Sequence, residues 1–336
     1  MTAGMPALRW HGRGDVRLDR VPVPEPGRGQ ILVEVERTGI CGTDLDEYVR
    51  GPLDVAGPPV TLGHEVVGTV AAGGDLEPGT RVVPDVVLGC GECWWCRRHE
   101  PGLCPRLKVR GLQTDGGLAR YMLAETATAV PVPEHVPAET AAFAEPLSVA
   151  VRALRKAGDL AGRTVAVVGA GTIGLLVTAL ATARGALCVV AVEPAAARRA
   201  LAARYGAVPV SPGEAAQAVG DRGADVTVEC SGADAAVWSA VELTRPGGTV
   251  VLVGTGATAI ALPVRSLVLE EKRVLGSAAH VWDVDVTGAV ALLAAGVVDP
   301  APLLTAVVPL TDAVDGGFER LRRDPATMKI QIDARK

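Results

Sequence analysis

One stretch limits the fold more than any other: TVAVVGAGTIGLLVTALATARGA, residues 164–186. An apolar, β-branched run leads into Gly169-Ala170-Gly171-Thr172-Ile173-Gly174, and a long run of Ala, Leu and Val follows. GxGxxG alone is a weak signal in a chain with 40 glycines. Between a strand and a helix it acquires a mechanism. Gly169 permits the tight turn, Gly171 lets a backbone approach a pyrophosphate, and Gly174 lets helix and strand pack closely. The helix opened by Thr172 and Ile173 turns its positive end toward the phosphate charge. Glu193 stands nineteen residues past Gly174, at the end of the next apolar run, LCVVAVEP. A carboxylate there accepts hydrogen bonds from the adenosine ribose hydroxyls and repels a 2′-phosphate, so NAD is expected over NADP. Arg198 and Arg199 are a counter-signal, since either could meet a phosphate, although a solvated helix face is their ordinary reading.

The same texture continues on both sides of the glycine loop. AAARRALAARYGA reads as a helix, and ADVTVECSG and GGTVVLVGTG read as strands. Strands alternating with helices predict an α/β fold with a doubly wound parallel sheet, here over about residues 151–285. Residues 1 to about 150 differ: short runs such as QILVEVER and EVVGTVAAGG alternate with turn signals, the pattern of a β-rich domain. From about 286 the segment VTGAVALLAAGVVDPAPLLTAVVPL begins as a helix, and TMKIQIDA is a last strand able to return to the first domain.

The chain's 336 residues suffice for two such domains. A net charge of -5, with no basic stripe, argues against nucleic acid as a partner. No segment is long and apolar enough to span a membrane. The start, MTAGMPALRWHGRGDV, does not read as a signal peptide. The expected setting is cytoplasmic.

Seven cysteines are unevenly spread. Cys90, Cys93, Cys96 and Cys104 crowd into one short loop, while Cys41, Cys188 and Cys230 stand apart. An odd count without a secretory signal argues for metal or free thiols over a disulfide framework. Four thiolates that can wrap one ion, leaving no open position, describe a structural zinc site. His99 lies inside the loop but reads as a solvated bystander.

A second metal would need dispersed ligands. Cys41 sits in GICGTDLDEY, His64 and Glu65 in TLGHEVVG, and Glu145 in the apolar segment AFAEPLSVA, where an unpaired charge would be expensive. One Cys, one His and one carboxylate with an open fourth position would make a catalytic zinc site. Spacing alone does not assemble them.

Taken together, GICGTD, GHE, GCGECWWCRRHEPGLC, AEPLSVA and VVGAGTIG resemble the zinc-containing, medium-chain alcohol dehydrogenase superfamily over essentially the whole length. CGTDLDEY, EPLSVA and VEP are similar to its polyol, butanediol and threonine dehydrogenase branch. The resemblance implies a GroES-like catalytic domain (1–150 with a return over 286–336), a Rossmann domain (151–285), and a site between them. It implies two zinc ions per chain, Cys41, His64 and Glu145 holding the catalytic one and Glu65 able to approach or exchange with it. The superfamily's type case uses a second cysteine where this chain, like the polyol branch, carries Glu145. Thr43 would pass on the substrate proton, and Asp44 would accept from the other ring nitrogen of His64. Asp46 stands where relatives commonly end a proton relay with histidine. It would act as last proton acceptor, as partner of a substrate ammonium, or as a solvated loop carboxylate like Glu47 beside it. His280, in GSAAHVWDV, reads as a surface or interface residue, and Cys230 as a packed small side chain.

The implied activity is interconversion of a secondary alcohol and its ketone by hydride transfer with NAD. The substrate would be a small diol, polyol, cyclitol or amino alcohol, and the protein a homo-oligomer, dimer or tetramer. The rivals are an aminocyclitol-specific dehydrogenase, a zinc-poor quinone-reductase-like member, and a non-catalytic protein that keeps the fold.

Overall fold

Valine-rich runs buried on both faces form the parallel sheet. In the computed structural model, which describes residues 4–256 and 259–336, six strands lie side by side. Their order is Val208–Val210, Cys188–Val192, Thr164–Val168, Ala224–Glu229, Thr244–Leu252 and Arg273–Gly276. Counted along the chain this is 3-2-1-4-5-6, the doubly wound order that places ligands at the carboxyl ends where the order reverses. Val165, Val167, Val190, Val226, Val228 and Val250 are buried in it. Val168 pairs with Val192 on one side and with Glu229 on the other, so the strand ends leading into Gly169, Glu193 and Cys230 are level. This unit spans Pro146–Ala279.

The other unit comprises the residues up to Glu145 together with His280–Lys336. Its largest sheet runs Ala129–Pro131, Arg81–Pro84, Glu65–Gly73, Gln30–Gly39, Lys329–Asp333, Leu304–Pro309. The long strand Gln30–Gly39 pairs antiparallel with Glu65–Gly73 on one edge, and with Tyr121–Glu125 and then Lys329–Asp333 on the other. The expected terminal strand therefore does return to the β-rich part. Leu8, Trp10, Ile40, Leu62, Leu118, Phe318, Ile330 and Ile332 form a buried cluster in this unit. Among the described residues, no helix is long and apolar enough to cross a membrane.

Candidate functional site

Register brings the dispersed residues together. Gly39 pairs with Glu65, so Cys41, just beyond the end of one strand, faces His64, just before the start of the next. Cys41 caps the helix Gly42–Arg50, and Asp44 reaches back to accept the Cys41 backbone N–H on Oδ2 at 2.9 Å. Its other oxygen accepts the Gly63 backbone N–H at 3.3 Å. Gly63 has φ +95, and a Cβ there would lie 2.7 Å from Leu118 Cγ, so only glycine delivers His64 to this turn. Asp44, fully buried, thus ties the Cys41 and His64 turns together through the backbone. The expected Asp44–imidazole hydrogen bond is not made: Oδ1 stands 3.6 Å from His64 Nδ1. That ring nitrogen is buried without a hydrogen-bond partner.

Burial works against a charge on the His64 ring, yet Asp44, the Cys41 sulfur and Glu145 outweigh it and hold its pKa well above the usual value. A nest so rich in negative groups, with an orphaned imidazole nitrogen, is a place for a cation. Thr43 Oγ1 is 3.8 Å from Cys41 Sγ. The donor atoms of Cys41, His64 and Glu145 do not all close to within 4.8 Å of one another, as those of the four-cysteine loop do.

Both Glu65 oxygens are taken by Lys329 Nζ, at 2.6 and 2.7 Å, and this amine also donates to the Ile40 carbonyl. Glu65 would have to leave this partner to reach a metal. Nothing local in TMKIQIDA marks its one lysine as buried, so Lys329 carries no signal of this role in the sequence. Breaking a buried pair strands a charge, so Lys329→Met is expected to destabilise the protein by about 3–5 kcal/mol. Urea unfolding checks this, and an unmoved midpoint would contradict it.

His280 is neither a surface nor an interface residue by exposure: only 1% of it is accessible. Its Nε2 lies 2.9 Å from Asp85 Oδ1 and its Nδ1 3.5 Å from Glu145 Oε1. Burial disfavours charge on this ring, but the two carboxylates prevail and bring its pKa up to about 9. Nothing local in GSAAHVWDV marks either partner, and both lie far away in sequence.

The polar run after Cys41 also differs from its expected exposure. Glu47 is fully buried and gathers the backbone N–H groups of Leu53, Asp54 and Val55. Asp46 is half-exposed and pairs with Arg50 one turn on, at 2.7 Å. A solvated helix-face pair accounts for it, and its carboxylate already has a cation.

The cysteine loop fits a metal. The sulfurs of Cys90, Cys93, Cys96 and Cys104 all lie within 4.8 Å of one another, and none is in a disulfide. Thiolates at Zn–S of about 2.3 Å around a tetrahedron stand about 3.8 Å apart, close to the 4.0 Å between Cys90 and Cys96. Backbone N–H groups of Cys90, Cys96 and Arg106 point at these sulfurs. The Glu92 backbone N–H leads the interactions that bring the Cys90 thiol down to about 6. His99 stays exposed, paired with Asp283 at 2.6 Å.

In the parallel-sheet unit the glycine loop has the form its sequence required. A Cβ on Gly174 would lie 1.8 Å from the Gly169 carbonyl oxygen, whereas nothing comes within 4 Å of one on Gly171. That open side is where a pyrophosphate would lie against the helix starting at Thr172 and Ile173. A cavity of about 360 Å³ beside the loop is lined by Gly169, Glu193, Pro194, Arg198, Ser231 and Ala233, among others. Glu193 accepts the backbone N–H groups of Ala170 (2.8 Å) and Ala195 (3.0 Å), so it also shapes the loop. Arg198 Nε is buried without a hydrogen-bond partner. Arg199 donates to the Glu193 and Pro194 carbonyls. Burial pushes the Cys230 thiol up, which suits a packed, unreactive side chain.

Known families match both parts of the chain. Residues 27–134 match the alcohol dehydrogenase GroES-like domain, and residues 172–295 match the zinc-binding dehydrogenase family. Human sorbitol dehydrogenase is 34% identical over 331 residues, covering 93% of this chain and 91% of that protein. A zinc-binding dehydrogenase from Sinorhizobium meliloti 1021, solved with NADP bound, superposes with a TM-score of 0.91 at 33% identity, covering 99% of this chain and 100% of that one. L-idonate 5-dehydrogenase from Escherichia coli gives a TM-score of 0.89 at 30% identity, covering 99% of both. The chain belongs to the zinc-dependent medium-chain alcohol dehydrogenase superfamily, in its polyol and threonine dehydrogenase-like branch.

Proposed function

We propose that the protein interconverts a secondary alcohol and its ketone on a small polar substrate, a diol, polyol, cyclitol or amino alcohol, using NAD(H). The observation that carries this reading is the nest of Cys41, His64 and Glu145, with the buried His64 Nδ1 orphaned, in a chain that also presents an open glycine loop. Cys41, His64 and Glu145 would hold the catalytic zinc, and Cys90, Cys93, Cys96 and Cys104 the structural one. Bound zinc supplies a Lewis acid that makes an alcohol easier to deprotonate, and the nicotinamide supplies a hydride acceptor.

The remaining work falls to the chain's own groups. Thr43 holds its hydroxyl 3.8 Å from the Cys41 sulfur and would take the proton leaving the substrate oxygen. Asp44 keeps the Cys41 and His64 turns in register. Lys329 neutralises Glu65 and keeps that carboxylate parked beside the nest. Gly169, Gly171, Thr172, Ile173 and Gly174 would receive the pyrophosphate, with Glu193 and Arg198 at the ribose end. Specificity for an aminocyclitol would need Asp46 to meet an ammonium group, and Arg50 already occupies that carboxylate. A homo-oligomer, dimer or tetramer, and a cytoplasmic setting belong to the same proposal.

Metal analysis and initial rates test it together. Two zinc ions per chain and turnover on a panel of diols, polyols, cyclitols and amino alcohols are expected. One zinc and no turnover on any of them would sink the reading. Cofactor choice is the sharper prediction. The Glu193 carboxylate next to a 2′-phosphate is an uncompensated like-charge contact, so NAD is expected to exceed NADP in kcat/KM by more than tenfold, about 1.4 kcal/mol. Arg198→Ala should reduce what NADP use remains. Equal efficiency with both cofactors would show that Arg198 outweighs Glu193.

A further inference from the structure

Resting on the metal reading above, we propose that His280, anchored by Asp85, is a positioning residue that fixes the Glu145 carboxylate for its metal. Three groups from distant parts of the sequence meet in a row. Asp85 follows the strand Arg81–Pro84 and is itself pinned, because its Oδ1 also accepts the Val87 backbone N–H at 3.0 Å. His280 Nε2 is 2.9 Å from that same oxygen, and its Nδ1 faces Glu145 Oε1 at 3.5 Å. Glu145 is the second residue of the helix Ala144–Ala157. Only 3% of Asp85 and 1% of His280 are accessible to solvent, so both are removed from water.

A glutamate ligand differs from a cysteine ligand in one physical respect. Its carboxylate hangs on several rotatable bonds, and ordering it costs rotamer entropy that a short thiol does not lose. A buried imidazole held from its far side, with Nδ1 3.5 Å from one carboxylate oxygen and without a hydrogen-bond partner of its own, is placed to take up that carboxylate and limit its freedom. The backbone just before the ring supports the assignment. Ala279 has φ +51, a left-handed conformation that a residue with a side chain rarely adopts. Such local strain persists where the surroundings require one placement of the next residue. A histidine that merely filled space would need neither the pinned aspartate nor the unusual turn.

The test uses the full-length protein with two readouts, cobalt(II) affinity at the exchangeable site from its d–d absorption and zinc content after dialysis. His280→Ala is expected to weaken cobalt(II) binding about 10–100-fold and to leave the cysteine-bound zinc in place. Asp85→Asn should give a smaller loss in the same direction, and it serves alone if His280→Ala does not fold. In a Glu145→Cys background, which keeps a metal donor at that position but no carboxylate for the ring to hold, His280→Ala should cost little further metal affinity. An equal loss in that background would mean that His280 does not act through Glu145, and the proposal falls. Unchanged affinity in both His280→Ala and Asp85→Asn also overturns it. If the unaltered protein retains one zinc only and binds no cobalt(II), the underlying two-metal reading has failed, and this proposal falls with it.

Discussion

Replacing His64 by alanine is expected to abolish alcohol oxidation while the protein keeps its fold and one equivalent of zinc. The imidazole lies in a nest whose other groups, Asp44, Cys41 and Glu145, favour a positive charge at that spot. Without the ring, the donor set falls to one thiolate and one carboxylate, too few to retain a catalytic zinc against competing water. A Lewis acid contributes several kcal/mol to deprotonating an alcohol, so kcat should fall by about a thousandfold or more. Glu145→Ala should behave alike. The thermal midpoint should move little, since the turn is held by Asp44 through the Cys41 and Gly63 backbones, not by the ring. Steady-state rates, zinc content and circular dichroism read the three claims separately. Substantial turnover by His64→Ala would remove His64 from the ligand set.

The opposite pattern is expected for Cys93→Ala. None of residues 91–103 is buried, and Trp94, Trp95 and Leu103 are 54%, 39% and 47% exposed. A loop with so little apolar burial has no core of its own to order it. What the structure offers in place of a core is four sulfurs facing one point. Structural zinc contributes folding free energy directly, about 10–16 kcal/mol in isolated zinc-finger peptides. Even a fraction of that, several kcal/mol, would lower the unfolding midpoint by about 10 °C or more. Cys93→Ala should therefore lose the structural zinc and unfold early, with kcat largely kept at temperatures where it stays folded. A variant that melts normally and is merely slow would mean that the loop takes part in chemistry instead.

What could be read in advance divides along physical lines. The glycine loop and the parallel sheet were legible because strand, turn and helix are local patterns, each repeating at its own period over adjacent residues. The cysteine loop was legible for the same reason, four ligands within one short segment. Lys329 and His280 were not, because their roles come from residues more than a hundred positions away: Lys329 from Glu65, and His280 from Asp85 and Glu145. Glu47 shows how a local cue misleads. Flanked by Asp46, it reads as part of an exposed turn, yet helix geometry puts neighbours on different faces. One face meets solvent and Arg50; the other closes over the backbone of residues 53–55.

The interrupted course of the β-rich unit has a consequence for how the protein is made. Glu65 leaves the ribosome early, but the amine that neutralises it belongs to a strand translated after the whole of Pro146–Ala279. The unit started first is therefore the one completed last. During that interval Gln30–Gly39 has one edge unpaired at Arg37, Thr38 and Gly39, since Lys329–Asp333 has not been made. The parallel-sheet unit is continuous in sequence and can close without waiting for any later residue. A nascent chain stalled past residue 279 would pair one finished dinucleotide fold with one open sheet edge, and that edge is where a chaperone or a second nascent chain would attach.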